Sequence, residues 1–161
     1  MATSDSSYDL EGRTLSLRSG MELSRLLHEM PKPTLAAIPG PAAGGGLSLA
    51  LACDLRIAID TAKLTTAFSK IGLSGDYGGP FFLPYLVGQA KARELYFTAK
   101  VLSGQEAFEI GLVNRVTTKQ EFASELKTLA HELASLPTIA VGYMKKNLNA
   151  ACGGSLSDTF D

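Results

Sequence analysis

The sequence predicts a single α/β domain. Short apolar runs bounded by Pro or Gly alternate along the chain with longer segments of helical periodicity, which is typical of a sheet covered by helices. The stretch from Pro33 to Asp60 contains the whole pattern: an apolar strand, a turn rich in Gly and Pro, a helix of small residues and a second strand. The length of 161 residues suits one domain, which would bury roughly 70% of its unfolded surface.

Composition argues against several classes of function. The net charge is −1 and the charges are interspersed, so no basic stripe points to nucleic acid. Thr34 to Cys53 is uncharged over the length of a membrane span, but prolines and glycines interrupt it, so we expect no membrane helix. Two cysteines in small or apolar surroundings and a polar, acidic start favour a cytoplasmic protein with reduced thiols.

The N-terminal part divides into two segments. Residues 1–16 carry no periodic pattern, and we expect them to be loop or disordered. Residues 17–30 place apolar side chains at helical spacing and are followed by Pro31, which predicts an amphipathic helix that ends there. We expect residues 17–152 to form the core domain and residues 153–161 to begin a segment that is cut short.

The central unit starts with a buried strand and continues into a glycine-rich helix start. Residues 34–38 are apolar and lie between two prolines, as a buried strand does. Gly44, Gly45 and Gly46 then precede a helix over residues 47–53. The first N–H groups of a helix lack intrahelical partners and lie at the positive end of its dipole. This end is suited to bind a phosphate or the oxygen of a polarised carbonyl.

The second half of the chain is predicted to be mostly helical. Ser103 with Glu106, and Thr118 with Glu121, are capping-box pairs that each open a helix. The predicted elements are an extended segment at 63–67, helices at 79–87 and 89–100, a short helix from 103 to Gly111, a strand at 112–116, and helices from 118 to 136 and from 137 to 151.

Three segments, in this order, carry a family resemblance. They are the stretch from Pro33 to Asp60, Ile-Gly-Leu-Ser-Gly-Asp-Tyr-Gly-Gly at 71–79, and Gly-Leu-Val-Asn-Arg-Val at 111–116. Together they resemble the motifs of the crotonase family, the enoyl-CoA hydratases and isomerases, over residues 30–149. The resemblance implies the α/β spiral of ββα repeats shared by crotonases and Clp proteases. Here the spiral is expected to be incomplete at both ends, because the family's N-terminal strands and C-terminal helices have no counterpart.

The resemblance implies a backbone oxyanion hole. Crotonase-like enzymes hold the oxygen of an acyl-CoA thioester between two backbone N–H groups, and one such donor can be worth ~3 kcal/mol. By position, Gly45 would supply one donor, while Gly44 and Gly46 would let the ligand pass close to the chain. The alternative is that these glycines only permit tight packing of helix against strand. The segment that gives the family its second donor has no match before Pro33.

The resemblance also limits which residues could act as the acid or base. Hydratases of the family use two glutamates, and their positions correspond here to Ser48 and Phe68, neither of which can move a proton on water. Asp76 is the remaining candidate, because family members with Asp at this point of the turn use it as base or nucleophile. The alternative is a turn aspartate that caps the helix at Gly79 or stabilises the loop. We assign Phe68 and Tyr77 to substrate binding, with plain core packing as the alternative.

Two functions are carried forward. The first is an acyl-CoA-processing enzyme that performs double-bond isomerisation or related enolate chemistry, with coenzyme A as part of the substrate and no separate cofactor or metal. Its partners would be an acyl-CoA thioester and further copies of itself, as a homo-trimer or hexamer, without nucleic acid or membrane. The second is a catalytically silent, truncated crotonase-like subunit that serves in binding or assembly.

Overall fold

Two three-stranded sheets and seven α-helices make up residues 10–159, which are the residues that this computed structural model describes. The strands are β1 Leu35–Ile38, β2 Ala42–Ala43, β3 Leu55–Ile59, β4 Lys63–Thr65, β5 Leu102–Ser103 and β6 Arg115–Thr117. The α-helices are α1 Leu10–Glu29, α2 Gly45–Ala52, α3 Gly79–Val87, α4 Gln89–Thr98, α5 Gly104–Glu109, α6 Phe122–Ala134 and α7 Thr138–Ala151. Short 3₁₀ helices cover Phe68–Ile71 and Leu156–Thr159.

The first four strands alternate between two sheets. The first sheet has the order β1-β3-β6 with parallel pairing, and the second has the order β2-β4-β5, in which β4 runs parallel to β2 and antiparallel to β5. The chain therefore repeats one pattern twice. A strand of the first sheet, β1 or β3, is followed by a strand of the second sheet, β2 or β4, and then by a helix. This is the ββα repeat that the resemblance predicted.

The central strand β3 is held from both sides and carries a buried arginine. Arg56 is 2% exposed, and its guanidinium donates to the carbonyl oxygens of Leu112 at 2.8 Å and Cys53 at 2.6 Å. Asn114 Oδ1 accepts from both the backbone N–H of Arg56, at 2.9 Å, and its guanidinium, at 3.2 Å. Since a buried charged group must be fully hydrogen-bonded, the Gly-Leu-Val-Asn motif serves the core.

A buried ion pair fastens the last helix to the start of the domain. Lys145 Nζ on α7 lies 2.7 Å from Asp54 Oδ2 and donates also to the carbonyl oxygens of Leu27, at 2.8 Å, and Lys32, at 3.2 Å. The same Asp54 oxygen accepts from the backbone N–H of Thr34 at 2.6 Å and from its hydroxyl at 2.8 Å. One lysine therefore ties α7 to the end of α1 and to the first sheet.

Several elements lie where the sequence predicts them. β1 and α3 have nearly the predicted bounds, and the three glycines stand at the start of α2. The capping box at α5 is complete: Ser103 Oγ accepts from Glu106 N at 3.1 Å, and Glu106 Oε2 accepts from Ser103 N at 2.7 Å. These features depend on residues close in sequence, so the local pattern suffices to predict them.

Several predicted boundaries are wrong. Residues 10–16 are the first turns of α1 rather than loop, because the segment has no proline and each added helical residue adds one backbone hydrogen bond; residues 1–9 lie outside the described part. β6 begins at Arg115 rather than at 112, since the preceding residues bond to Arg56 instead. The last long helices are shorter than predicted: α6 begins at Phe122, and the hydroxyl of Thr118 bonds the Glu121 carboxylate at 2.7 Å.

Candidate active site

The N-terminus of α2 presents free backbone donors. Gly44 has φ +52°, a left-handed value that glycine adopts without strain, and its N–H donates to the Thr65 carbonyl at 3.1 Å. The Gly44 carbonyl accepts from Ser48 N at 2.9 Å, which starts the helix. Within residues 10–159, the N–H groups of Gly45, Gly46 and Leu47 have no protein acceptor. The first turn of α2 can therefore donate hydrogen bonds to an oxygen of a ligand.

The Asp76 carboxylate lies directly beside this helix start. A Cβ placed on Gly45 would lie 3.2 Å from Asp76 Oδ1, so the predicted donor and the predicted base are neighbours in space. Asp76 Oδ1 is buried and has no hydrogen-bond partner among the described residues. Burial raises the pKa of Asp76, and a hydrogen bond from its own backbone N–H partly opposes that effect. The carboxylate thus retains an unpaired oxygen and an increased affinity for a proton.

The turn that carries Asp76 is fixed by its neighbours. Gly79 N donates to the Asp76 carbonyl at 3.0 Å, which joins the turn to the start of α3. Tyr77 has φ +48°, and its carbonyl accepts from the buried hydroxyl of Ser24 on α1 at 2.8 Å. The Tyr77 ring lies over Gly45, with Cδ2 3.1 Å from the position of a Cβ there. Helix α1, the turn and α2 therefore meet at Gly45.

The two side chains predicted to bind substrate occupy different places. Tyr77 covers Gly45, whereas Phe68 is 4% exposed and packs against Gly44, with a ring atom 3.6 Å from the position of a Cβ on that glycine. Phe68 also borders a cavity of about 460 Å³, which neither Gly45 nor Asp76 lines. Gly46 has no atom within 4 Å of its Cβ position, so the space beside it is open.

Tyr96 is a polar residue of this region that the sequence analysis did not single out. Its ring stacks on Phe68 with centroids 6.2 Å apart, and its hydroxyl contacts Ser48, which is 2% exposed. Burial raises the pKa of Tyr96 to about 12, the contact with Ser48 partly opposes this, and the nearby Asp76 charge adds to it. Helical spacing could have identified it, since Tyr96 follows Leu95 on the face of α4 that also buries Ala92.

The chemistry available here is proton transfer beside hydrogen-bond donors. Donors at a helix start can stabilise negative charge on an oxygen, and a carboxylate with a raised pKa can take and return a proton. No three His, Cys, Asp or Glu side chains of residues 10–159 come together as a metal site would require. Nor does any helix in that range combine the length and the hydrophobicity needed to cross a membrane.

Known proteins match most of the chain. The family model Enoyl-CoA hydratase/isomerase matches residues 7–160. 4-Chlorobenzoyl coenzyme A dehalogenase-1 of Arthrobacter sp. is 40% identical over 131 residues, which are 81% of this chain and 48% of that protein. 1,2-Epoxyphenylacetyl-CoA isomerase of Escherichia coli K12 is 39% identical over 139 residues, which are 86% of this chain and 53% of that protein.

A solved structure confirms the predicted fold. A Thermobifida fusca YX protein described as an enoyl-CoA hydratase, crystallised with acetoacetyl-CoA, superposes with a TM-score of 0.88 and 31% identity. The match covers 93% of this chain and 59% of that one. The fold class is therefore the crotonase-like α/β spiral, and the chain spans about half the length of the curated relatives it matches.

Proposed function

The chain belongs to the enoyl-CoA hydratase/isomerase family, and we propose that it acts on an acyl-CoA thioester by enolate chemistry, with double-bond isomerisation as the reaction. One observation carries the proposal: the buried, unpartnered Oδ1 of Asp76 lies beside Gly45, 3.2 Å from the position of a Cβ there, and the Gly45 N–H has no acceptor within residues 10–159. A buried carboxylate oxygen without a hydrogen-bond partner lowers the free energy of unfolding. Such groups are concentrated at functional sites.

The proposed reaction uses one backbone donor and one carboxylate. Gly45 N–H donates to the thioester oxygen, and Asp76 takes a proton from the α-carbon of a 3-enoyl-CoA, so that the electron pair of the broken C–H bond moves into an enolate. The same carboxyl group then returns the proton to the γ-carbon, which leaves the double bond between the α- and β-carbons. Burial of Asp76 favours this role, because a raised pKa brings the carboxyl group closer to the pH at which it works.

Hydration is the less suitable reaction for this site. It requires two carboxylates to position and deprotonate a water molecule, and the resemblance assigns those two places to Ser48 and Phe68. Ser48 is 2% exposed and donates to the Gly44 carbonyl, and Phe68 is buried against that glycine. Isomerisation moves one proton between two carbons, which a single carboxylate can do.

In the proposed ligand, coenzyme A is part of the thioester. The proposed assembly is a homo-trimer or hexamer. The similar Thermobifida fusca protein was crystallised with acetoacetyl-CoA, which supports a thioester ligand. Helix α7 exposes Ile139 at 79%, Tyr143 at 61% and Leu148 at 69%, and such apolar surface supports contact with further subunits. We propose no separate cofactor.

The test compares two aspartate variants of the purified chain. Asp76→Asn should reduce conversion of a 3-enoyl-CoA to the 2-enoyl-CoA by at least about 100-fold, the range of general acid–base catalysis. Its affinity for a non-hydrolysable acyl-CoA analogue, measured by calorimetry, should change little. The control is Asp158→Asn, whose side chain is exposed in the C-terminal 3₁₀ helix. Unchanged turnover in Asp76→Asn would end the proposal, and absence of both binding and turnover in the unaltered chain would favour the silent binding or assembly subunit.

A second reaction deserves a separate assay, because a relative at 40% identity is named a 4-chlorobenzoyl coenzyme A dehalogenase. An unpartnered carboxylate oxygen can also form a bond to carbon. Asp76 would attack the chlorinated ring carbon, chloride would leave, and water would hydrolyse the resulting ester. Chloride release from 4-chlorobenzoyl-CoA, with a transient mass increase on the peptide that contains Asp76, would favour this reaction over isomerisation.

A further inference from the structure

The peptide that carries the Gly45 N–H is held at its other end. The Gly44 carbonyl belongs to the same planar peptide group as Gly45 N–H, so fixing the carbonyl also fixes the direction of the donor. This carbonyl accepts two hydrogen bonds from one residue: Ser48 N at 2.9 Å and Ser48 Oγ at 3.2 Å. The backbone bond is an ordinary part of the helix, whereas the hydroxyl bond is an addition made by this side chain.

The Ser48 hydroxyl has a second neighbour, Tyr96. A Cβ placed on Gly79 would lie 2.5 Å from Ser48 Oγ and would collide with the Tyr96 hydroxyl, so the two oxygens share the small space that glycine leaves open. The raised pKa of Tyr96, about 12, keeps its proton in place at neutral pH. Ser48 directs its own proton to the Gly44 carbonyl, so in the arrangement proposed below the Tyr96 hydroxyl donates to Ser48.

We propose that Tyr96 and Ser48 are positioning residues that form a hydrogen-bonded chain to the Gly44 carbonyl and so hold the Gly45 N–H in the direction of the thioester oxygen. Hydrogen bonds in series polarise one another, and a bond to the carbonyl of a peptide also strengthens its N–H as a donor. The inference rests on the proposed function, because it gives Gly45 the role of oxyanion donor.

A purely structural role for the pair makes a different prediction. A serine that bonds to the carbonyl four residues earlier and a tyrosine in the core both occur without function. Their loss would then lower stability and leave the electronic state of a bound thioester unchanged. The stretching frequency of the thioester carbonyl separates the two roles, because it falls when a well-aligned donor polarises the bond.

The experiment uses four variants of the full chain and one probe. The probe is hexanoyl-CoA with ¹³C at the thioester carbon, observed by isotope-edited infrared spectroscopy when bound. Tyr96→Phe and Ser48→Ala each remove one link of the chain. Tyr85→Phe and Ser135→Ala are matched controls, since Tyr85 donates to the Cys152 carbonyl at 2.9 Å and Ser135 to the Glu132 carbonyl at 2.8 Å, both at exposed positions.

We expect the unaltered chain and both controls to lower the carbonyl frequency of bound probe, and Tyr96→Phe and Ser48→Ala to lose a large part of that change. In the isomerase assay the same two variants should lose about tenfold in kcat, a fraction of what a whole oxyanion donor provides. Their KM should stay within about twofold, because the interaction strengthens in the transition state. Melting curves of all four variants identify any that fail to fold.

The possible results separate this inference from the proposed function. A full frequency change and unaltered kcat in folded Tyr96→Phe and Ser48→Ala would overturn the inference and leave the proposed function standing. A loss of kcat together with a proportional loss of affinity, and no spectroscopic change, would also overturn it, since that is the result of a structural role. If the unaltered chain binds the probe without any frequency change, Gly45 is not an oxyanion donor, and the proposed function fails together with this inference.

Discussion

Two aspartates that lie partly buried in this domain have opposite surroundings. Asp54 Oδ2 receives three hydrogen bonds of 2.6–2.8 Å, from Lys145 Nζ and from the N–H and hydroxyl of Thr34. Asp76 Oδ1 is buried and receives none within residues 10–159. The Asp54 carboxylate attaches α7 to the rest of the domain through these bonds. Asp76 Oδ1 binds no other element of that range, and it lies beside Gly45 at the start of α2, 3.2 Å from the position of a Cβ there.

The comparison shows how burial can serve either stability or chemistry. A buried ion pair with all its hydrogen bonds made adds little to the free energy of unfolding. Removal of one partner lowers that free energy strongly, because the other partner remains buried and charged. A buried carboxylate with an unused oxygen lowers stability from the outset, and its proton affinity rises. The first arrangement is expected to matter for folding and the second for turnover.

The largest expected effect is on folding, at the Asp54 pair. Lys145→Met should lower the free energy of unfolding by about 3 kcal/mol, the low end for a broken buried pair, because Asp54 retains 27% exposure. The measurement is urea denaturation followed by circular dichroism. Lys146→Met is the matched control on the same helix, since Lys146 is exposed and should change stability by less than about 0.5 kcal/mol. Equal effects of the two variants would show that Asp54 is not the structural aspartate.

The next effect should appear at the contact between Gly45 and Asp76. A Cβ on Gly45 would approach Asp76 Oδ1 to 3.2 Å and the Tyr77 ring to 3.1 Å, so in Gly45→Ala both side chains must shift away by a few tenths of an ångström. We expect a loss of about 100-fold in kcat/KM, comparable to the removal of an oxyanion donor. Gly46→Ala meets nothing within 4 Å and should leave the stability of the fold intact. Turnover by Gly45→Ala at the normal rate would contradict the proposed site.

The smallest expected effect is a pH dependence of stability that belongs to Asp76. Because the pKa of Asp76 is raised in the folded state, the folded chain binds this proton more tightly than the unfolded chain does. The stabilisation is present below the unfolded pKa of ~3.9 and is lost as the pH rises through the folded pKa. Asp76→Asn cannot titrate, so its stability relative to the unaltered chain should increase with pH across that window.

The quantity to measure is the difference in the free energy of unfolding between the unaltered chain and Asp76→Asn at each pH. All other carboxylates are common to both proteins, so denaturation at several pH values isolates the Asp76 contribution. A stability difference that decreased as the pH rose would mean that the folded chain stabilises the Asp76 charge. Asp76 would then resemble Asp54, and the contrast between the two aspartates would be lost.

The sequence was sufficient for features set by nearby residues. The strand before Pro39, the helix start after the three glycines and the capping box at Ser103 were all predicted, because each depends on a short pattern. Strands β2 and β5 were not, since two residues cannot show a periodicity. The extent of α1 was also missed, because helix propagation through residues 10–16 leaves no apolar pattern.

Periodicity and spacing did not predict the contacts between distant segments. The family resemblance singled out Gly45 and Asp76, but only the tertiary structure puts them side by side. The pairing of Lys145 with Asp54 and the contact of Tyr96 with Ser48 each join segments far apart in the chain, and neither residue pair has a local signature. In each case the fold, rather than the sequence pattern, decides whether a polar group receives a partner.

The most direct test of the central claim is exchange of the α-protons of a saturated acyl-CoA. In D₂O, the unaltered chain should replace the α-hydrogens of hexanoyl-CoA with deuterium, followed by NMR, because formation of the enolate requires removal of that proton and nothing else. Asp76→Asn should exchange at least about 100-fold more slowly while binding the thioester with similar affinity. Exchange by Asp76→Asn as fast as by the unaltered chain would contradict the account, because the unpartnered carboxylate would then not be the base.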